Sequence, residues 1–414
     1  MKKKLFLAFL AVMLLSAIGI AVGLWLQPKP EAPSPNQGQI VEPGGQLPEN
    51  QTGTGQTGGD NGQPLPATPD NTVVPQSSNN PPAPSTPSPT LNVTGSLVST
   101  ASLGRISLGS DNKTVQFYDS SAGYFYGYQN GEKKLLSSKQ FPQATEVVWD
   151  RAGNKAYVVY SSGKAIIDFK NNKQIDLPPE VESVSFSASG EQIVFKTNNS
   201  NFRDNYLAVM SVDGGGVKFI EPIGDKGADV QSAFSPNNQV VAFFRKGVSA
   251  ERQEIYFLGQ NNENFKAVPV PGRGFVGSWS PDGQQVLYQV HNLDTRFTPR
   301  LYVMGGSGDN IGSNNRSLSL ATVVDKCVWQ NITTVLCGVP RSLPEGSGYL
   351  PKLLDEVPDS LYKIDLTTGL SSFIGWPQAG SQDLSVKNPV VSADGKIMYF
   401  TDGLSGSLIS IPLP

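Results

Sequence analysis

Apolar and polar positions divide the chain into three stretches. Met1-Lys2-Lys3-Lys4 precedes 22 uncharged residues, Leu5 to Leu26. As a helix such a run reaches about 33 Å, matching a hydrocarbon core of about 30 Å. It predicts a transmembrane signal anchor over residues 1–26, with the lysines cytoplasmic and Trp25 at the far interface. The competing reading is a cleaved signal peptide with a site at Gly19-Ile20-Ala21. Such peptides have an apolar region of about 7–15 residues, whereas here it continues through Val22, Leu24, Trp25 and Leu26, so the anchor is favoured. Both readings place everything after Gln27 outside the cytoplasm. Residues 27–92 contain no aromatic side chain and 15 of the 32 prolines. They bury too little apolar surface to offset their ordering entropy, so a disordered linker is expected. Its flexible-chain reach is about 45 Å, enough to hold a domain away from a bilayer.

From residue 93 the pattern becomes strand-like and repeats. An apolar or aromatic strand end leads into a four-residue turn and then a strongly apolar strand. The clearest copy is Trp279-Ser280-Pro281-Asp282-Gly283-Gln284-Gln285-Val286-Leu287-Tyr288. Further copies begin at Trp149, Phe186, Phe234 and Val391, with a weaker one at Leu108 and a shortened one at Trp329. The spacings of 41, 37, 48, 45, 50 and 62 residues surround the blade period of β-propellers, about 40–50 residues. In the six full-length copies the fourth turn position holds Asn112, Gly153, Gly190, Asn238, Gly283 and Gly395. Only Gly and Asn occur there, as a left-handed turn residue requires. Runs such as Val240-Val241-Ala242-Phe243-Phe244 are apolar without alternation, as in strands buried on both faces. The last repeat ends near Pro414 without a fourth strand, and the segment 91–101 could supply one and close the ring. The expected fold class is therefore all-β: a seven-bladed β-propeller over 93–414, with six blades as the fallback if the first copy is spurious.

Composition narrows the chemistry. A net charge of −3, with basic excess only in the first thirty residues, argues against a nucleic-acid partner. One histidine and two cysteines leave no material for a His-rich metal site or a multi-disulfide scaffold. No nucleophile elbow, Walker loop, His-Glu-x-x-His or Cys-x-x-Cys occurs, and no turn carries the Trp of a sialidase box. The turn aspartates are explained by turn formation, and Trp149, Trp279 and Trp329, at equivalent positions, by packing. No cofactor is expected, and the chain is read as a non-enzyme.

The Ser-Pro-Asp-Gly-x-x-apolar-apolar turn, followed by Ile/Leu-Tyr-x-Met/Leu one strand later, resembles the TolB-like family of WD-type β-propeller repeats. The resemblance covers roughly residues 104–414. It implies the propeller fold and, in that family, periplasmic protein-binding platforms or gating domains of prolyl-oligopeptidase-like enzymes. This chain departs from both. An anchor and stalk are expected where TolB carries an α/β domain, and no α/β-hydrolase domain is expected after the propeller.

Cys327 and Cys337 flank the shortened hairpin symmetrically about Ile332. Pairing Val328 with Leu336 and Trp329 with Val335 would bring the sulfurs together at a cross-strand separation suited to a disulfide. Two buried free thiols are the alternative. The second-to-third-strand loops and the blade-to-blade connections should open on one face. That face is the expected binding surface, through Phe202, Arg203, Arg252, His291, Arg296, Phe297, Arg341 and Tyr349, with His291 placed in a loop. Exposed aromatic and Arg side chains are the types enriched at binding hot spots. The functional expectation is a membrane-anchored, extracytoplasmic platform for an envelope protein or glycan, which leaves the membrane itself as the other partner. The alternatives are an extracytoplasmic propeller hydrolase or lyase acting on carbohydrate, and a structural subunit of a surface assembly.

Overall fold

The computed structural model describes residues 92–414 apart from 102, 262 and 264. The expected anchor, and the linker up to residue 91, lie outside the described residues. Seven β-sheets follow one another along the chain as the blades of a propeller. Blades 1 to 5 are four-stranded meanders within 103–135, 146–177, 181–222, 230–270 and 273–317. Blade 6 spans 327–379 and blade 7 spans 386–412. Each blade's first strand faces the central channel. The only helical elements among the described residues are five short 3-10 turns in the connections.

The turn that defines the repeat is built alike in successive blades. In blade 5 the Gly283 N–H donates to Ser280 O at 2.9 Å, and Gly283 sits at φ 72°. The Ser280 hydroxyl bonds Asp282 at 2.6 Å and accepts from Gln285 N at 2.9 Å. Blades 4 and 7 repeat this with Ser235/Asn237 and Ser392/Asp394. The turn aspartates are thus hydrogen-bonded within their own hairpins. Trp149 and Trp279 lock blade to blade: each indole N–H donates to the preceding blade, at Arg105 O (2.8 Å) and Ala233 O (3.1 Å). Apolar clusters fill each gap between blades. One example packs Phe243 and Phe257 of blade 4 on Phe275, Val286 and Tyr288 of blade 5.

Ring closure uses the segment before blade 1, more elaborately than expected. Ser96–Ser99 pairs antiparallel with Leu408–Pro412 as the fourth strand of blade 7. Asn92–Thr94 instead pairs parallel with Ser371–Ala379, the outermost strand of blade 6. The extended chain thus joins two blades. Gly95 marks the crossing: its N–H donates to Gln378 O at 2.6 Å. A Cβ there would come within 2.8 Å of Ile409 Cγ2. Because Asn92–Thr94 runs parallel to a fourth strand, the chain enters the ring from the tight-turn face and runs toward the loop face.

In blade 6 the register pairs Cys327 with Cys337, and the two sulfurs are joined. There are no free cysteines. A cross-link spanning 10 residues contributes about 2–3 kcal/mol in the chain-entropy treatment. Replacing both cysteines by Ser should lower the melting temperature and leave the far-ultraviolet circular dichroism unchanged; an unaltered melting temperature would contradict this contribution.

Candidate functional site

Three places gather polar chemistry: the channel, a buried cluster at blades 6 and 7, and the loop face. The channel is divided. The Arg105 guanidinium, on the first strand of blade 1, meets the Asp325 carboxylate, between blades 5 and 6, at 2.9 Å. Arg105 and Ser278 border a cavity of about 420 Å³ toward blades 2–4 and one of about 120 Å³ toward blades 6 and 7. Glu146, on the first strand of blade 2, lines the larger cavity. Burial holds its carboxyl above the usual range; Lys164 opposes the shift and the Glu182 charge adds to it. The nearby cations are committed elsewhere. Lys164 Nζ donates to Val181 O at 2.7 Å, and Lys196 Nζ to Gly227 O at 2.8 Å. Among the described residues no group of three or more His, Cys, Asp or Glu is placed to hold a metal ion.

The buried cluster ties three elements together. Lys326 and Asp359 are almost wholly enclosed and pair at 2.8 Å. Lys326 Nζ also donates to Ser385 Oγ at 2.8 Å, and Val386 N donates to Asp359 at 2.6 Å. Ser385 N in turn donates to buried Asp402 at 2.8 Å. A lysine beside a serine suggests a nucleophile and its base, but neither is accessible, so this arrangement clamps blades 6 and 7. Sequence reasoning missed it, because Lys326, Asp359 and Ser385 lie far apart in the chain and in no motif.

The loop face carries most of the expected binding residues, with two corrections. Phe202 and Arg203 form an exposed 3-10 turn, with the guanidinium 6.0 Å from the ring. Arg252 is exposed at the start of its strand, and Arg296 is exposed in the blade 5 loop. His291 is not in a loop. It ends the strand Gln285–His291, is only 4% exposed, and stands under Tyr349 with ring centroids 4.3 Å apart. Burial and the Arg273 charge lower its pKa, so it is neutral at pH 7 and offers no surface charge. The close approach of Gly274 and Gly348, with Tyr349 above, explains the burial. Arg341 is likewise held in place: its guanidinium grips Asp383 at 2.6 and 3.2 Å and lies over Trp376.

Neighbouring loops are stitched sideways. Leu293 N donates to Glu251 at 3.1 Å, joining the loops of blades 5 and 4. Gly348 N donates to Phe297 O at 2.7 Å, joining those of blades 6 and 5, and Tyr349 packs on Phe297 at 5.1 Å. Arg296 and Phe297 hold left-handed backbone, at φ 51° and 55°. Non-glycine residues adopt that conformation only where surrounding contacts impose it. Along this arc Phe202, Leu293 and Tyr349 are 52%, 61% and 62% exposed, and Val248 and Leu350 are exposed beside them.

Comparison with known proteins rests on the fold. No family model matches the chain, and no curated protein does. Among solved structures, an oligogalacturonate lyase in complex with manganese superposes with a TM-score of 0.53 at 13% identity, over 75% of this chain and 88% of that one. The tricorn protease gives 0.49 at 13% identity, over 77% of this chain and 34% of that one. Hsv2 of Kluyveromyces lactis gives 0.44 at 12% identity, over 73% and 90%. This chain is a seven-bladed β-propeller.

The buried pair yields two expectations. Lys326→Met leaves the Asp359 carboxylate enclosed without its cation and should cost about 3–5 kcal/mol in chemical denaturation; a loss well below that would show the pair to be dispensable. Burial raises Asp359 from 3.8 to about 6, against the pull of Lys326. The folded state then holds a proton that the unfolded chain has released between those values, so this contribution to stability grows as pH falls from 7 toward 4. Asp359→Asn should remove that portion of the pH slope in urea titrations, and an identical slope in both proteins would contradict the assignment.

Proposed function

We propose that this propeller is an extracytoplasmic binding platform. Its leading apolar segment holds it to a membrane, and it captures an envelope protein or glycan through its loop face. The observation that carries this reading is the arc of loops from blades 3 to 6. Exposed Phe202, Val248, Leu293, Tyr349 and Leu350 are interspersed there with Arg203, Arg252 and Arg296. Side-to-side hydrogen bonds fix the loops of blades 4 to 6 before any partner arrives. A pre-ordered surface avoids much of the entropic penalty of association. The chain enters the ring on the opposite, tight-turn face, so its entry point leaves this arc unobstructed. His291 and Arg341 support the surface from beneath and at its edge rather than meeting the partner.

A second reading attaches to Glu146. A carboxyl kept above its usual range by burial, beside a second carboxylate, is a setting in which a proton donor for glycoside chemistry can operate. The fold likeness to an oligogalacturonate lyase is compatible with it. The loop-face arc draws on several exposed residues and this reading on a single carboxyl, so the platform is the better-supported function.

Cross-linking followed by mass spectrometry in intact cells tests the platform. Neighbours should attach to the loop face, and Phe202→Ser with Leu293→Ser and Tyr349→Ser should abolish those links without lowering the yield of folded protein. Links that persist in the triple variant would remove this face from the function. Persistent turnover of acidic oligosaccharides that Glu146→Gln abolishes would favour the lyase reading.

A further inference from the structure

The blade 6 loop meets blade 5 over an enclosed imidazole. His291, the only histidine of the chain, lies between two backbones. A Cβ on Gly274, in the first strand of its own blade, would come within 2.4 Å of His291 Cε1. One on Gly348, in the blade 6 loop, would come within 2.5 Å of His291 Cβ. Tyr349 covers the ring and Phe297 flanks it, with centroids 4.3 and 6.4 Å from the imidazole. His291 Nε2 is buried and meets no donor or acceptor among the described residues. The Ser347 hydroxyl, in the covering loop, is enclosed in the same way. The site therefore suits a neutral ring only: a proton added to it would bring a charge and a donor that nothing satisfies.

The surrounding charges oppose that proton as well. Arg273 pairs with His291 across the strands. Burial, reinforced by the Arg273 charge, holds the imidazole below its ordinary 6.5. The other charged groups on the elements around it are Arg300 on the third strand, Asp294 and Arg296 in the following loop, Glu251 of blade 4 and Glu345 in the blade 6 loop. The ring takes a charge interaction from Arg273 alone.

The cover is lightly held. Its backbone ties to blade 5 are Gly346 N to Arg296 O, at 3.3 Å, and Gly348 N to Phe297 O, at 2.7 Å. Both accepting residues hold left-handed backbone, which surrounding contacts must impose. Such a segment can open locally at much less cost than the whole ring. Once it opens, the imidazole is hydrated and takes a proton near 6.5. The closed site binds that proton less readily. Closure is thus complete above 6.5 and weakens as pH falls through 6.5 toward the lower value of the closed site. Asp359, at the end of the same connection, titrates nearby with the opposite sign, since its burial favours the folded state in acid.

We propose that His291 is an acid-sensitive latch: its protonation lifts the covering loop, residues 344–350, off blade 5 and carries Tyr349 and Leu350 out of the apolar arc, releasing a captured partner. The latch stands on the packing around the ring, and the release rests on the platform function proposed above.

Hydrogen–deuterium exchange on the full chain in detergent micelles, corrected for the chemical effect of pH, reads the latch without any partner. From about pH 7.5 to about pH 5, peptides covering 344–350 should lose protection severalfold, while those covering the blade 3 loop at 201–205 should not change. His291→Gln, neutral throughout, should remove this pH dependence. In the parent protein carrying isotopically labelled histidine, the single imidazole resonance should titrate below 6.5, and the loss of protection should follow the same curve. Acid-insensitive protection at 344–350, an imidazole that titrates at or above 6.5, or an acid-induced loss that persists in His291→Gln would each overturn the latch. Cross-links from the loop face should disappear at about pH 5 and persist there in His291→Gln. Cross-links indifferent to acid, although the loop opens, would overturn the release. Links absent from this face at either pH would instead remove the platform and leave the latch standing.

Discussion

A ring of sheets has one seam, and the whole architecture depends on how that seam is held. Each blade buries its faces against two neighbours, so blades 1 and 7 are stable only when they meet. Here the closing element is a single extended segment pairing with two different blades, Asn92–Thr94 on blade 6 and Ser96–Ser99 on blade 7. Gly95 allows the chain to pass between them, where no side chain would fit against Ile409 and Ile411. Beside the seam, the Lys326–Asp359–Ser385 clamp joins the blade 5–6 connection to blades 6 and 7. The closing segment pairs residues as distant as Ser96 and Ser410, so its loop-closure cost exceeds that of any local hairpin.

The sequence disclosed the elements whose causes are local. Turn geometry needs left-handed residues, so the fourth positions were readable as Asn or Gly, and Asn112, Asn238 and Gly283 do occupy that conformation. The Cys327–Cys337 pairing followed from hairpin symmetry, because strand register is fixed by the residues on either side of a turn. What stayed hidden depends on contacts between blades. The polar residue His291 follows an apolar strand and reads as the start of a loop, yet Tyr349 from the next blade covers it. Arg341 reads as a free surface cation, but its partner Asp383 lies beyond the following two strands. The Arg105–Asp325 pair across the channel joins the first blade to the connection between the fifth and sixth, a relation with no trace in local spacing.

The loop face combines rigidity with chemical variety. A four-strand meander places the second-to-third-strand loops beside the connections between blades, so loop length can vary without disturbing the packed sheets. In blades 4 to 6 that freedom is restrained by the hydrogen bonds from Leu293 to Glu251 and from Gly348 to Phe297. Rigid strands below and cross-linked loops above are the arrangement that positions side chains for recognition. The opposite end of the molecule has a different character, with hydrogen-bonded turns around its rim.

The direction in which the chain joins the ring has a mechanical meaning. A pull arriving through the residues before Asn92 acts along the axis of the closing segment, so its hydrogen bonds to blades 6 and 7 are loaded together in shear rather than peeled one by one. A stalk under tension would thus be resisted at the strongest orientation a strand can present. The same geometry names the first element to fail: once that segment slides, the disc opens between its seventh and first sectors, and the tether joint and the lock of the ring are lost in one event.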